Sequence, residues 1–263
     1  MPKVRVNGVS LHYELVGKGK ETIVFSHGLL FDKTMFHKQV DFLKDRYRCI
    51  CYDHRGQGQS QITKQGYDMD NLAQDGLGLM DALNIESCHF IGLSMGGFVG
   101  MRIAARYPNR INSLTLLDTS ANSETHTSKY NLLTWAVRLF GVSSVVGKVM
   151  KILFGEKFLN DPTRADEKQK WHSFMSAHKK SIVKAVQGVI NRQAIFDELP
   201  NIKAPTLVIV GDQDVATEPI HSQEIHKQII HSQLVIIGGA GHSSTIEEPE
   251  QVNQAIEGFL KTL

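Results

Sequence analysis

An α/β fold, with a mostly parallel, doubly wound sheet of eight strands and a helical cap inserted after the sixth, is what this 263-residue chain predicts. Three observations carry that prediction. Short apolar, β-branched runs alternate with helix-length segments along most of the chain. The first two runs are joined by a two-residue turn instead. One long interval, between residue 120 and about residue 201, holds helix-like text without a strand. The length suits one such domain with an insertion better than two independent domains.

Residues 4–6 and 10–15 flank Asn7-Gly8, a dipeptide suited to a tight hairpin turn, so the sheet begins antiparallel. Residues 22–25 (Thr-Ile-Val-Phe) read as the third strand, 34–43 as a helix and 48–52 as the fourth strand. Helix 69–83 places Leu72, Ala73, Leu79, Met80 and Leu83 near a helical period. Its Gly76 and Gly78 lower helix propensity but permit close packing on the sheet. The fifth strand, 88–93, leads into helix 95–107, which stops before Pro108. Strands 113–117, 205–210 and 233–237 follow, with helix 219–230 between the last two and helix 248–263 at the end, Pro249 in its first turn. The later strands are nearly all apolar, as strands covered by helices on both faces must be.

The interval without strands contains four helical segments, 130–140, 142–154, 162–178 and 179–196. They form a cap, residues 121–200, on a core made of residues 1–120 and 201–263. Leu132, Leu133, Trp135, Val137, Leu139 and Phe140 are expected to build the interior of that cap. Trp135 and Phe140, together with Leu29, are the candidate pocket residues. Arg138, Lys148 and Lys151 interrupt any membrane span here, and no run of about twenty apolar residues occurs elsewhere.

Composition narrows the function. Apolar residues make up 41% and charged residues 21%, ordinary for a globular domain and wrong for a disordered one. Lys and Arg (29) nearly balance Asp and Glu (27) and are scattered, so the concentrated basic patch of a nucleic-acid binder is missing. The first residues, Met1-Pro2-Lys3-Val4-Arg5-Val6, carry no apolar run behind their charges, which argues against a secretory leader and for a cytoplasmic location. Cys49, Cys51 and Cys88 have neither disulfide-framework nor zinc spacing and are expected to be free thiols. His221, His226 and His231 are five apart, which does not align them on one helix face, so no metal is expected.

The chemistry concentrates at Gly92-Leu93-Ser94-Met95-Gly96. A G-x-S-x-G string is weak alone, but here it follows an apolar strand and opens a helix. That is the setting in which a serine is held on a strained turn beside the free N–H groups and positive dipole of a helix N-terminus. Four further motifs stand in register with it: Ser26-His27-Gly28-Leu29 after the third strand, Asp53-His54-Arg55-Gly56-Gln57-Gly58-Gln59-Ser60 after the fourth, Gly211-Asp212-Gln213-Asp214 after the seventh, and Gly241-His242 after the eighth.

With these motifs in this order the chain resembles the α/β-hydrolase superfamily over nearly its whole length. The resemblance implies Ser94 as nucleophile, His242 as base and Asp214 as the carboxylate orienting that base, with backbone N–H groups of Leu29 and Met95 as the oxyanion hole. Asp212 and Asp118 are the rivals for the acid. His27 is read as structural within the oxyanion loop, His54 and His89 as ordinary core or surface histidines, and Asp53 and Arg55 as holding their turn together. An ordinary histidine base would lose activity below about pH 6.

A serine at this position sets the chain apart from haloalkane dehalogenases and epoxide hydrolases, which attack through an aspartate. The resemblance is to the small-esterase, enol-lactonase and cofactor-free haloperoxidase branches, and implies acyl transfer without cofactor or metal. The expected activity is hydrolysis of small to medium carboxylic esters, by a monomer or homodimer acting on a small-molecule ester or lactone. Enol-lactone or C–C bond hydrolysis, a perhydrolase activity, and a slow-turnover ligand receptor are the alternatives. His27-Gly28 departs from the Asn-Ser variant associated with enol-lactonases, which lowers the lactonase reading.

Overall fold

Asn7 and Gly8 both take left-handed backbone angles (φ 43° and 73°), and the chain reverses there to start the sheet. The computed structural model describes residues 2–263; Met1, the first of the six residues read for a leader, lies outside them. Eight strands, β1 (Lys3–Val6), β2 (Val9–Val16), β3 (Thr22–Ser26), β4 (Arg48–Tyr52), β5 (Cys88–Leu93), β6 (Ile111–Leu117), β7 (Thr206–Gly211) and β8 (Ser232–Ile237), lie in the order β1-β2-β4-β3-β5-β6-β7-β8. β2 runs antiparallel to both β1 and β4, and all other neighbours are parallel.

The helices are α1 (His37–Leu43), α2 (Met69–Ala82), α3 (Met95–Arg106), α4 (Thr127–Phe140), α5 (Val146–Leu153), α6 (Glu156–Asn160), α7 (Ala165–Ser176), α8 (Val183–Ile190), α9 (Pro219–Gln228), α10 (Ser244–Glu247) and α11 (Pro249–Leu260). Alternation along the strands feeds two cores. Val24, Ile50, Phe90 and Val208 pack with α2, α3 and α9 on one face. Ile23, Phe25, Cys49, Cys51, Ile91 and Ile209 pack with α1 and α11 on the other. All three cysteines are free and buried. The helix glycines serve close packing: a Cβ on Gly76 would meet Ile103 of α3 at 3.3 Å, and one on Gly78 would meet Val6 of β1 at 2.9 Å.

The insertion between β6 and β7 is helical, as expected, but its subdivision differs. Five α-helices and several 3-10 turns stand where four helices were read. The chain breaks at Phe154, which is extended (φ −129°, ψ 141°), because the Gly155 N–H is drawn to the Glu247 carboxylate at 2.8 Å. α8 ends at Ile190, after which the Ile195 N–H bonds back to the Ala121 carbonyl at 2.8 Å and returns the chain to the end of β6. Among the described residues no helix is long and apolar enough to cross a membrane.

Inside the cap the structure overturns an assignment. Trp135 and Phe140, expected in the pocket, are exposed, as are Leu132 and Leu139, expected in the cap interior. α4 turns Thr134 and Val137 inward instead. Because α4 carries large apolar residues on two sides, Leu132, Trp135, Leu139 and Phe140 on one and Leu133 and Val137 on the other, its sequence alone does not choose the buried face.

The tightest packing lies at the β5–α3 junction. A Cβ on Gly96 would sit inside the Ser26 carbonyl of β3, and one on Gly92 would overlap the Gly96 carbonyl. Gly96→Ala is therefore expected to destabilise by at least about 2 kcal/mol through overpacking. Gly147→Ala in α5, where a Cβ meets nothing within 4 Å, should stabilise by about 0.5–1 kcal/mol through helix propensity. Urea unfolding midpoints check both; an unaltered midpoint for Gly96→Ala contradicts the packing described.

Candidate active site

β5 ends at Leu93, and Ser94 turns the chain into α3 with φ 51° and ψ −112°, a strained conformation for a side-chain-bearing residue. Its backbone is pinned on both sides. The Ser94 N–H donates to the Leu117 carbonyl of β6 at 2.9 Å, and its carbonyl accepts from the Thr119 hydroxyl at 2.9 Å and the Phe98 N–H at 3.0 Å. The side chain is thereby presented at the carboxyl edge of the parallel strands, the edge where open α/β sheets bind ligands.

Two loops leaving the same edge meet it. The loop after β8 brings His242 Nε2 to 2.8 Å from Ser94 Oγ, and the loop after β7 brings Asp214 Oδ2 to 2.9 Å from His242 Nδ1. All three residues are buried. Asp214 is held in turn: its Oδ1 accepts the N–H groups of Ala216 (2.8 Å) and Thr217 (2.9 Å), and its Oδ2 accepts the Thr217 hydroxyl (2.8 Å). With the Asp214 carboxylate at Nδ1, the imidazole keeps its proton there and leaves Nε2 as acceptor for the serine hydroxyl. Burial works against protonating His242, but the Asp214 charge and hydrogen bond outweigh it, and its pKa lies above the ordinary 6.5.

Met95 adjoins Ser94 in the chain, and Leu29 lines the same cavity as Ser94. Met95 is the first residue of α3, where N–H groups have no helical partner. In the loop after β3 the Leu30 N–H is taken by Gln57 Oε1 at 3.0 Å and the Phe31 N–H by the Gly28 carbonyl at 3.3 Å. That leaves the Leu29 N–H without a protein acceptor among the described residues. His27 braces this loop from behind. Its Nδ1–H donates to the Gly28 carbonyl (2.7 Å) and its Nε2 accepts the His54 N–H (2.9 Å), while burial lowers its pKa and keeps it neutral.

The rivals for the acid are occupied elsewhere. Asp212 accepts the Gly239 N–H at 2.7 Å. Asp118 accepts the Gly211 N–H (2.9 Å) and the Ser244 hydroxyl (2.6 Å), tying the loop of Asp214 to that of His242. Burial first, and then the Asp214 charge, push its pKa up to about 8. Asp53 and Arg55 hold their turn: Asp53 accepts the N–H groups of Lys33 and Gln59, and Arg55 makes two bonds to Asp75 (2.9 and 2.7 Å). His54 is a core residue at 2.9 Å from Ser26 Oγ, and His89 bonds Ser113 Oγ.

Two residues at the site escaped the sequence reading. Thr217 sits three residues beyond Asp214, where only the return of the chain reveals its hydroxyl. Glu247 accepts the N–H groups of Gly241 and Ser243, which flank His242, at 3.1 Å each, and that of Gly155 in the cap at 2.8 Å. A buried acid following the Gly-His motif at short range was a signal for it. Burial raises its pKa to about 7 despite these three donors.

A cavity of about 140 Å³ opens onto Ser94 and His242 under the cap. Leu29 lines it, as expected, but Trp135 and Phe140 do not. Its walls are Leu133 and Val137 of α4, Val149 of α5, and Val183, Val186 and Val189 of α8, among others. Charge enters through Glu124 and Arg192, which pair with each other at 2.9 Å. Among the described residues no cluster of three or more potential metal ligands occurs.

The profile of the α/β hydrolase fold family matches residues 21–249. A 3-oxoadipate enol-lactonase of Acinetobacter baylyi is 31% identical over 258 residues, covering 97% of this chain and 95% of that protein. The crystal structure of the enol-lactonase from Burkholderia xenovorans superimposes with a TM-score of 0.93 at 30% identity, covering 99% of this chain and all of that one. A thermophilic esterase from Thermogutta terrifontis gives a TM-score of 0.91 at 29% identity over 100% of this chain and 99% of that one. The order of the strands, the helical insertion and these relatives agree: the chain belongs to the α/β-hydrolase family and is a hydrolase of that type.

Proposed function

We propose that the protein is a carboxylic ester hydrolase that passes an uncharged, apolar acyl group of small to medium size through Ser94. Ser94 Oγ attacks the ester carbonyl while its proton moves to His242 Nε2. Asp214 steadies the resulting imidazolium, and the Leu29 and Met95 N–H groups receive the oxyanion. The imidazolium returns that proton to the departing alkoxide, leaving an acyl-serine. Water attacks it by the same route, giving the acid and restoring the serine. Residues 121–200 act as the cap that closes the acyl site, over a core of residues 1–120 and 201–263. Three unpaired thiols support a reducing, cytoplasmic setting.

The observation that carries the substrate reading is the pocket wall. It is built mainly of branched aliphatic side chains, and its one cation, Arg192, is already neutralised by Glu124. Similarity to enol-lactonases favours a second reading, since a lactone opens through the same acyl-serine. An enol-lactone of 3-oxoadipate, however, retains a free carboxylate, and this pocket offers it no unpaired positive charge.

Aliphatic cavities of about 150 Å³ take ligands of benzene size. On a series of p-nitrophenyl esters, kcat/KM should therefore climb by about fourfold per methylene up to an acyl chain of roughly four to six carbons and then fall. Acyl chains ending in a free carboxylate should be at least about tenfold poorer, and Ser94→Ala should abolish turnover on all of them. A flat profile, or preference for the carboxylate-bearing esters, contradicts the assignment. The pH profile tests the base. His242 acts neutral, and its pKa is raised, so kcat/KM on an uncharged ester should fall with acidification through an inflection above 6.5. This is higher than an ordinary histidine would give, and an inflection below 6.5 counts against the Asp214–His242 pairing.

A further inference from the structure

α4 has two apolar faces with different fates. Tyr130, Leu133, Thr134 and Val137 line the pocket. On the opposite side Leu132, Trp135 and Leu139 recur at i, i+3 and i+7 with Phe140 alongside, and they are 68%, 58%, 48% and 70% exposed. Single exposed apolar residues need no explanation, but four large ones on one helix face form the kind of patch that marks an interaction site.

The charge carried by this stretch of chain has one sign. Residues 125–155 contain no Asp or Glu, whereas Lys129, Arg138, Lys148 and Lys151 are all exposed. Lys180 adds an ammonium at the end of α4, where its Nζ donates to the carbonyls of Arg138 (3.0 Å) and Leu139 (3.1 Å). An apolar stripe containing Trp and Phe, on a segment whose charged side chains are all Lys or Arg, is the make-up of a helix that lies in a membrane interface. Packing a second copy of this chain on it would bring Lys129, Arg138 and Lys180 of one copy towards those of the other. An anionic lipid surface complements both the stripe and these cations.

We propose that the outer face of α4 docks on anionic lipid surfaces. Leu132, Trp135, Leu139 and Phe140 enter the headgroup region, and the surrounding Lys and Arg side chains meet lipid phosphates. Because the inner face of the same helix walls the pocket, docking holds the acyl site against the phase in which apolar esters accumulate. The binding does not depend on which ester is cleaved.

Trp135 is one of only two tryptophans, and the other, Trp171, is 1% exposed, so fluorescence reports on the patch directly. With vesicles of phosphatidylcholine mixed with phosphatidylglycerol, the emission should shift to shorter wavelength and the protein should co-sediment. Partitioning should be at least about tenfold stronger than onto phosphatidylcholine alone and should weaken with added salt. The double variant Leu132→Ser/Phe140→Ser keeps the reporter. It should lose at least about tenfold in partitioning, while hydrolysing a water-soluble p-nitrophenyl ester without vesicles at an unchanged rate. Failure to bind anionic vesicles overturns the proposal. So does equal binding to neutral ones, binding untouched by the double variant, or a dimer by light scattering that the double variant dissociates.

Discussion

The site depends on one close approach. α3 can start directly above β3 only because residue 96 lacks a side chain and lets the helix backbone meet the Ser26 carbonyl. At that junction Ser94 takes a positive φ of 51°, which sets the direction in which its hydroxyl leaves the sheet. The strain is local and is held by bonds from Leu117 and Thr119 on the neighbouring strand and its following loop. The strained turn and the free N–H groups at the helix start are two consequences of the same geometry.

Three distant segments reach that hydroxyl, and buried carboxyl groups keep them there. Asp214 orients the imidazole, Asp118 ties the Asp214 loop to the His242 loop, and Glu247 clasps both residues flanking His242 together with Gly155 of the cap. Each satisfies its oxygens with N–H or hydroxyl donors, as buried acids must. Arg164 of the cap also donates to the Ile246 and Glu247 carbonyls, at 2.9 and 2.6 Å, and His178 lies 2.9 Å from the Leu30 carbonyl. The cap is therefore joined both to the segment following His242 and to the loop of Leu29 and Leu30.

Most of the core was legible because its signals are local. Asn7-Gly8 specifies its own turn, all-apolar runs such as residues 207–210 specify strands buried on both faces, and Gly92 and Gly96 mark a junction whose tightness excludes other residues. The resemblance could name Ser94, Asp214 and His242 because each stands in a motif that follows a strand at the same edge of the sheet. The cap was harder. Its helices end where tertiary bonds pull the chain aside, as Glu247 does at Gly155 and Ala121 does at Ile195. α4 is apolar on both sides, so Trp135 and Phe140 looked like pocket residues when Leu133 and Val137 fill that place. Thr217 depends on how its loop folds back, which short-range pattern does not encode, whereas Glu247 follows the Gly-His motif closely enough to have been marked by it.

The central claim is that His242 activates Ser94 within this geometry, and covalent capture tests it most directly. Incubation with diethyl p-nitrophenyl phosphate, followed by intact-mass and peptide mapping, should place a single diethylphosphoryl group on Ser94. The reaction should slow by at least about a thousandfold in His242→Ala. An adduct on any other residue, or labelling of Ser94 at an undiminished rate without the imidazole, would contradict the account.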